Sequence, residues 1–186
     1  MHINVIDTIK QLEDLREDWT TVYSADPHVT IHRSWPWIRA WAESTPYDWL
    51  VLALRHHTSS PYIAFFPLAK EVTLKNEHKL YMGGHPLSAH TGFVCAPEYA
   101  VDAITTFSNF IQKQLKWDIF EMREVFDPRF DVFLSYFSSR KFSLRRISET
   151  SCPYIPLPQS WDQYLQDCLS TSARKELRKK IRLWER

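Results

Sequence analysis

Apolar and polar positions change period several times along this chain. Ile3 to Ile6 reads as a short strand. Thr8 and Gln11 then fit a capping box, and Leu12, Leu15, Trp19 and Val22 recur at helical spacing until Asp26-Pro27 interrupts them. Ser34 can cap a second helix that tolerates Pro36 in its first turn and directs Trp37, Ile38 and Trp41 inward. Trp49 to Leu54 is apolar on both faces, the pattern of a central strand covered on each side. A turn over His56 to Pro61 leads to an antiparallel partner, Tyr62 to Leu68, whose ladder Pro67 is expected to limit. Gly83-Gly84-His85-Pro86 is the clearest turn signal in the chain.

Pro97-Glu98 opens the next helix, with Val101, Ile104, Phe107 and Ile111 inward. Trp117 to Val125 alternates, placing Trp117, Ile119, Glu121 and Arg123 on one side, and is expected to be an inner strand like Trp49 to Leu54. Asp131 to Phe137 reads as helix and Phe142 to Ile147 as a final strand. Pro153, Pro156 and Pro158 then hold an extended segment. Ser160 caps a short helix through Trp161, Tyr164, Leu165 and Cys168. After Ser170-Thr171-Ser172, a basic helix over 173–186 carries Ala173, Leu177, Ile181 and Trp184 on one side. Helices alternating with strands, with at least one hairpin among them, predict a mixed α/β fold in which helices cover a twisted sheet.

The terminal helix has two unusual features. Arg174 and Lys175 occupy its opening turn, where the macrodipole favours acids, and it reaches Arg186 without a stop signal. The sequence therefore reads as truncated, with Leu177, Ile181 and Trp184 poorly covered by this chain alone.

Composition narrows the classes. A chain of 186 residues that is 44% hydrophobic can bury a real core. The net charge of +1 gives no global field for nucleic acid or an anionic membrane. The basic excess is local, seven Lys and Arg over residues 171–186 against Glu176 and Glu185. Cys95, Cys152 and Cys168 form no CxxC and suit reduced thiols in the cytoplasm, with Cys95 and Cys152 reading as buried structural cysteines. Asp7, Lys10, Glu13 and Asp14 interrupt any signal sequence, and the longest apolar run is too short to span a bilayer.

His56, His57, His85 and His90 lack any helical metal-binding frame and read as solvated loop histidines. Neither a nucleophile elbow nor a P-loop occurs. Glu121 and Arg123 share one face of their strand, either as an ionic pair on the sheet surface or as cleft residues facing a substrate. The basic helix is either a solvated face or a receiver of an anion through Arg174, Lys175 and Arg178.

The stretch CPYIPLPQSWDQYLQDCLSTSARKELRKKIRLWER resembles the middle of CelD-like proteins, the cellulose-biosynthesis-associated branch of the GNAT acyltransferases. Pro156, Leu157, Pro158, Trp161 and Tyr164 fill one motif of that family, and Ser170, Arg174, Leu177, Arg178, Arg182 and Leu183 fit a second. HRSWPWIRAWAES is similar to the family opening through Ser34, Trp37 and Trp41. YMGGHPLSAHTGFVCAPEYA resembles a third stretch, with His90 where relatives have tyrosine and Ala89 and Thr91 near the positions of their acids.

The resemblance implies a GNAT-like twisted mixed sheet over residues 1–157 and a helical bridge over 158–186 toward a second GNAT-like domain. It implies an N-terminal half that shapes the acceptor side of an N-acyltransferase. His90, in the place of the family tyrosine, and Glu121 and Arg123, from their shared strand face, are the candidate substrate residues. The resemblance also implies acyl-CoA for the whole enzyme. GNAT enzymes hold the coenzyme pyrophosphate on a [RQ]-x-x-G-x-[GA] loop opening a helix. Leu80, Tyr81 and Ala89 stand where Arg or Gln would precede the three glycines, so no acyl-donor site is expected in this chain, which alone would be inactive. The partner is then a second GNAT-like domain or a second copy, with no specific nucleic acid and no membrane span. The alternative is a non-catalytic interaction module that docks through the basic terminal helix.

Overall fold

The computed structural model describes residues 1–138, 141–149, 151, 153, 155 and 157–185. The expectations for Cys152, Pro156 and Arg186 lie outside the described residues. The chain divides into two compact units, Met1–Leu144 and Arg145–Arg186.

In the first unit the strands order as β1-β2-β3-β4-β6, where β1 is His2–Ile6, β2 Asp48–Arg55, β3 Tyr62–Val72, β4 His78–Met82 and β6 Ile119–Glu121. The short β5, Val94–Cys95, pairs with β3 off this path. All pairs are antiparallel except β4 with β6, which run parallel, so the fold is mixed α/β as expected.

The apolar character of β2 on both faces has its counterpart in two cores. Leu50, Leu52 and Leu54 face one side, with Phe66, Leu68, Leu80 and Phe93, and are covered by Ile104, Phe107 and Ile111 of α4 (Ala100–Gln114) and by Phe130 and Phe133 of α5 (Arg129–Ser135). Val51, Ala53 and Phe65 face the other, under α1 (Ile9–Asp14), α2 (Arg16–Ala25) and α3 (Trp35–Ser44). The stripe Leu12, Leu15, Trp19 and Val22 is buried there, and Trp19 stacks on Phe65 at 4.6 Å. Thr8 caps α1 by accepting from the Gln11 N–H, and the Gln11 side chain accepts from the Asp7 N–H.

Several expectations are corrected. The Trp117–Val125 segment contributes only Ile119–Glu121 to the sheet and lies at its edge, because β4 is its sole neighbour among the described residues. Residues 142–147 form no strand. Phe142 stacks on Trp117 at 5.3 Å, while Arg145 and Arg146 remain in water. The β2–β3 ladder runs past Pro67 to Lys70. The Pro67 carbonyl accepts from Gly83 N–H on the β4 side. The missing Pro67 donor points to that same side, so β2 loses no hydrogen bond. In α3, Trp35 is buried and Trp37 only half-buried. In α4, Val101 falls on the flank of the stripe and is exposed.

Two aspartates and two arginines are buried between the layers. Asp127 pairs with Arg33 at 2.7 Å and with Arg129 at 2.7 Å, and Arg129 also reaches Asp26 at 3.0 Å. Asp26 further accepts from the Cys95 and His28 backbone N–H groups. The charges therefore balance two against two, and the carboxylates are hydrogen-bonded as buried charge requires.

The second unit holds α6 (Trp161–Cys168) and α7 (Thr171–Trp184). Ser160 caps α6 by accepting from Gln163 N–H, and Ser170 caps α7 by accepting from Ala173 N–H. No residue of α7 is buried, and Trp184 is 91% exposed.

Candidate functional site

Beyond the carboxyl ends of β4 and β6 lies a cavity of about 110 Å3, lined by Met82, His85, Pro86, Ser88, Thr91, Glu121, Arg123 and Glu124. Parallel strands leave such a crevice where both chains turn away from their ladder. The chain leaving β4 turns through Gly83 and Gly84. Gly84 has φ +90°, and a Cβ there would lie 2.1 Å from Ser88 Oγ, so the tight return of the loop needs glycine. Leu87 and Ser88 N–H groups both donate to the Gly84 carbonyl at 2.9 Å.

Residues of α3 and β4 hold this loop in place. Trp37 Nε1–H donates to Ser88 Oγ at 2.7 Å, and Trp41 Nε1–H donates to the His85 carbonyl at 2.9 Å. The His85 ring lies flat on Tyr81 with centroids 4.6 Å apart. Tyr81 Oη donates to Glu71 at 2.8 Å. Burial, then the Glu71 carboxylate, pushes the Tyr81 phenol well above its usual range. Burial, then Arg123, lowers the His85 pKa, against Glu121 and Glu71. His85 is therefore a neutral imidazole at neutral pH.

Glu121 and Arg123 form an ion pair on the opposite wall. Thr91 binds the wall to the loop, its N–H donating to the Glu124 carbonyl at 2.8 Å and its hydroxyl donating to the Arg123 carbonyl. Two carboxylates, one paired guanidinium and a neutral imidazole thus converge. Such a set attracts a cationic group and offers it a proton acceptor.

The sequence-derived residues fall in three places. Glu121 and Arg123 line this cavity together. His90 belongs to the same loop but turns away, with φ 58°, its ring facing His32 and Phe126. Arg174, Lys175 and Arg178 are on α7, where Lys175 and Arg178 share a shallow groove with Lys179, Arg182 and Leu183. Arg174 donates to Thr171 Oγ1 at 3.2 Å. Sequence reasoning missed His85, which is half-buried in the site and not a solvated loop residue, and it missed Ser88 and Glu124. The glycine turn beside Trp37 and Trp41 was the available signal.

None of the three glycines opens a helix. A Cβ on Gly83 would meet Pro67 at 2.4 Å, and one on Gly92 would meet Arg33 at 2.8 Å. Their open sides are filled by the protein's own atoms.

No family model matches the sequence, and no curated protein matches it. Among solved structures, the chain is similar to a ribosomal-protein-alanine N-acetyltransferase of Brucella melitensis biovar Abortus 2308, with 8% identity over 83% of this chain and all of that one, TM-score 0.43. It is also similar to an aminoglycoside acetyltransferase from an uncultured soil metagenomic sample, with 10% identity over 81% of this chain and all of the other, TM-score 0.41. A tetramutant protein of Bacillus halodurans shows 14% identity over 84% of this chain and all of its own, TM-score 0.40. Among the described residues, no helix is long and apolar enough to cross a membrane.

Proposed function

We propose that this chain supplies the acceptor side of a GNAT-type N-acyltransferase of the CelD-like kind, while a second GNAT-like domain holds acyl-CoA. The observation that carries the reading is the cavity at the ends of the parallel β4–β6 pair, lined by Glu121, Glu124, Arg123 and neutral His85. An amine acceptor arrives as an ammonium and must lose a proton before it can act as a nucleophile. Glu121 and Glu124 attract the ammonium, and the His85 imidazole takes its proton. Arg123 holds Glu121 in place and keeps His85 uncharged until then.

On this reading the coenzyme belongs to the second domain. A pyrophosphate needs convergent backbone N–H groups on a glycine-permitted loop opening a helix. The three glycines of this chain are taken up by Pro67, Ser88 and Arg33. The α7 cations Arg174, Lys175 and Arg178 remain as proposed receivers of an anion, through exposed charges that salt screens.

Two titrations of this chain test the reading. Calorimetry with acetyl-CoA, at low and moderate salt, is expected to give only weak, salt-sensitive heat. Micromolar binding that survives salt would overturn the placement of the donor elsewhere. NMR with a panel of primary amines is expected to shift the signals of His85, Glu121 and Glu124. A panel that leaves all three unmoved would overturn the acceptor assignment.

A further inference from the structure

The loop from Gly84 to Thr91, which walls the cavity, is held at both ends by histidine-containing ring contacts. At one end His85 lies on Tyr81 with planes 3° apart, beside Tyr47. At the other end His90 faces His32, with centroids 6.1 Å apart and planes 24° apart. His32 stands edge-on to Trp37, and His90 edge-on to Phe126. The Nδ1 atoms of His32 and His90 are both buried, and neither has a hydrogen-bond partner. A neutral imidazole tolerates this arrangement with an unpaired acceptor. An imidazolium adds a buried N–H with no acceptor, and a second one adds a cation facing the first. The His90 backbone is also held at φ 58°, a conformation that persists only while its surroundings enforce it.

We propose that this loop is a pH-sensitive clasp, closed against the cavity while His32 and His85 are neutral and released when they take up protons. The groups facing each ring are consistent with this. Around His85 stand Tyr47, Tyr81, Arg123, Glu121 and Glu71; Arg123 opposes a charge on the ring, and the two carboxylates favour it. His32 and His90 face one another. Arg33, next to His32 in the chain, directs its guanidinium to Asp127 and to the Phe93 and His28 carbonyls.

Burial, followed by His90, lowers the His32 pKa, and burial, followed by Arg123, lowers that of His85. A folded pKa below the ordinary value means the released loop binds protons more readily than the closed one. Closure is therefore fully favoured above about pH 6.5 and weakens as pH falls below it. Release breaks the Trp37–Ser88 and Trp41–His85 hydrogen bonds and uncovers the wall that Ser88 and His85 contribute. The clasp shares His85 with the acyltransfer reading, but its test reads loop opening without any acceptor or coenzyme.

Hydrogen exchange of the peptide spanning residues 83–92, corrected for intrinsic rates, tests it. Opening is expected to be up to about a hundredfold more frequent at about pH 5.5 than at about pH 7.5, the effect of two protons, on His32 and His85, each taken up over one pH unit below the ordinary imidazole value. The double variant His32→Gln, His90→Gln is expected to lower that ratio about tenfold, leaving the share of His85. An unchanged wild-type ratio, or a full ratio in the folded variant, overturns the proposal. Should the variant not fold, imidazole NMR of the wild type decides. Loop exchange that follows the His32 titration supports the clasp, and exchange that ignores it overturns the clasp.

Discussion

Arg33 and Asp127 stand 94 residues apart in the chain and meet in a buried ion pair of 2.7 Å. Arg33 precedes α3 and Asp127 precedes α5, so the pair ties the layer on one face of the sheet to the layer on the other. Burial lowers the Arg33 pKa against the pull of Asp127, but a guanidinium starts far above neutrality and stays charged.

Removing one partner leaves the other charge buried. Asp127→Asn is expected to cost about 3–5 kcal/mol at neutral pH, read by urea unfolding. Burial raises the Asp127 pKa, but the hydrogen bonds and charge of Arg129, with Arg33 behind them, outweigh it and hold the carboxyl below its usual value. The stabilisation is therefore present above about pH 3.9 and is lost as pH falls through the lower folded value. The difference between wild type and variant should narrow in that acid window, and a constant difference would refute the assignment.

Cys95 is fully buried, and burial pushes its thiol up to about 12. A thiol so held is not a thiolate near neutrality. In a Cys152→Ser, Cys168→Ser variant, which leaves Cys95 as the remaining thiol, a chromogenic disulfide reagent is expected to give no signal until denaturant is added. A rapid native reaction would show that this part of the core opens readily.

The exposure of α7 makes a third prediction. Leu183 and Trp184 are 61% and 91% exposed, and large uncovered apolar side chains promote association. Light scattering of the wild type is expected to rise with concentration, and Trp184→Ser to reduce it while leaving the unfolding midpoint of the first unit in place. A wild type that stays monomeric across the range would mean the helix needs no cover.

Much of this architecture was legible in the sequence. The two-sided apolar run of Trp49–Leu54 and the stripe Leu12, Leu15, Trp19, Val22 carry their burial in their own periods. Glu121 and Arg123 line the cavity as a pair, but the strand ends at Glu121, so the alternation expected over Trp117–Val125 is not what joins them. The edge position of Ile119–Glu121 was not legible, because strand order is a property of the whole sheet and not of one segment's pattern. Neither was the buried ion network, whose Asp26 and Arg129 are 103 residues apart and carry no local signal. His85 looked like a solvated turn residue because Tyr47 and Trp41, both distant in sequence, join the neighbouring Tyr81 in turning that loop inward.

The last prediction concerns the turn that brings this loop back over the cavity. At Gly84 both the φ of +90° and the 2.1 Å approach of Ser88 Oγ exclude a side chain, so alanine must shift either the backbone or Ser88. Gly84→Ala is expected to cost about 1–3 kcal/mol, the range for a non-glycine residue forced into such a conformation. Leu87→Ala, three residues on at a position 70% exposed, is the control and should stay within about 0.5 kcal/mol of wild type. The Trp37 indole N–H resonance reports whether its bond to Ser88 survives. A shifted resonance with lost stability in Gly84→Ala alone would locate the anchor of the cavity wall at this glycine. Equal behaviour of the two variants would mean that Trp41 and Tyr81 hold the loop without it.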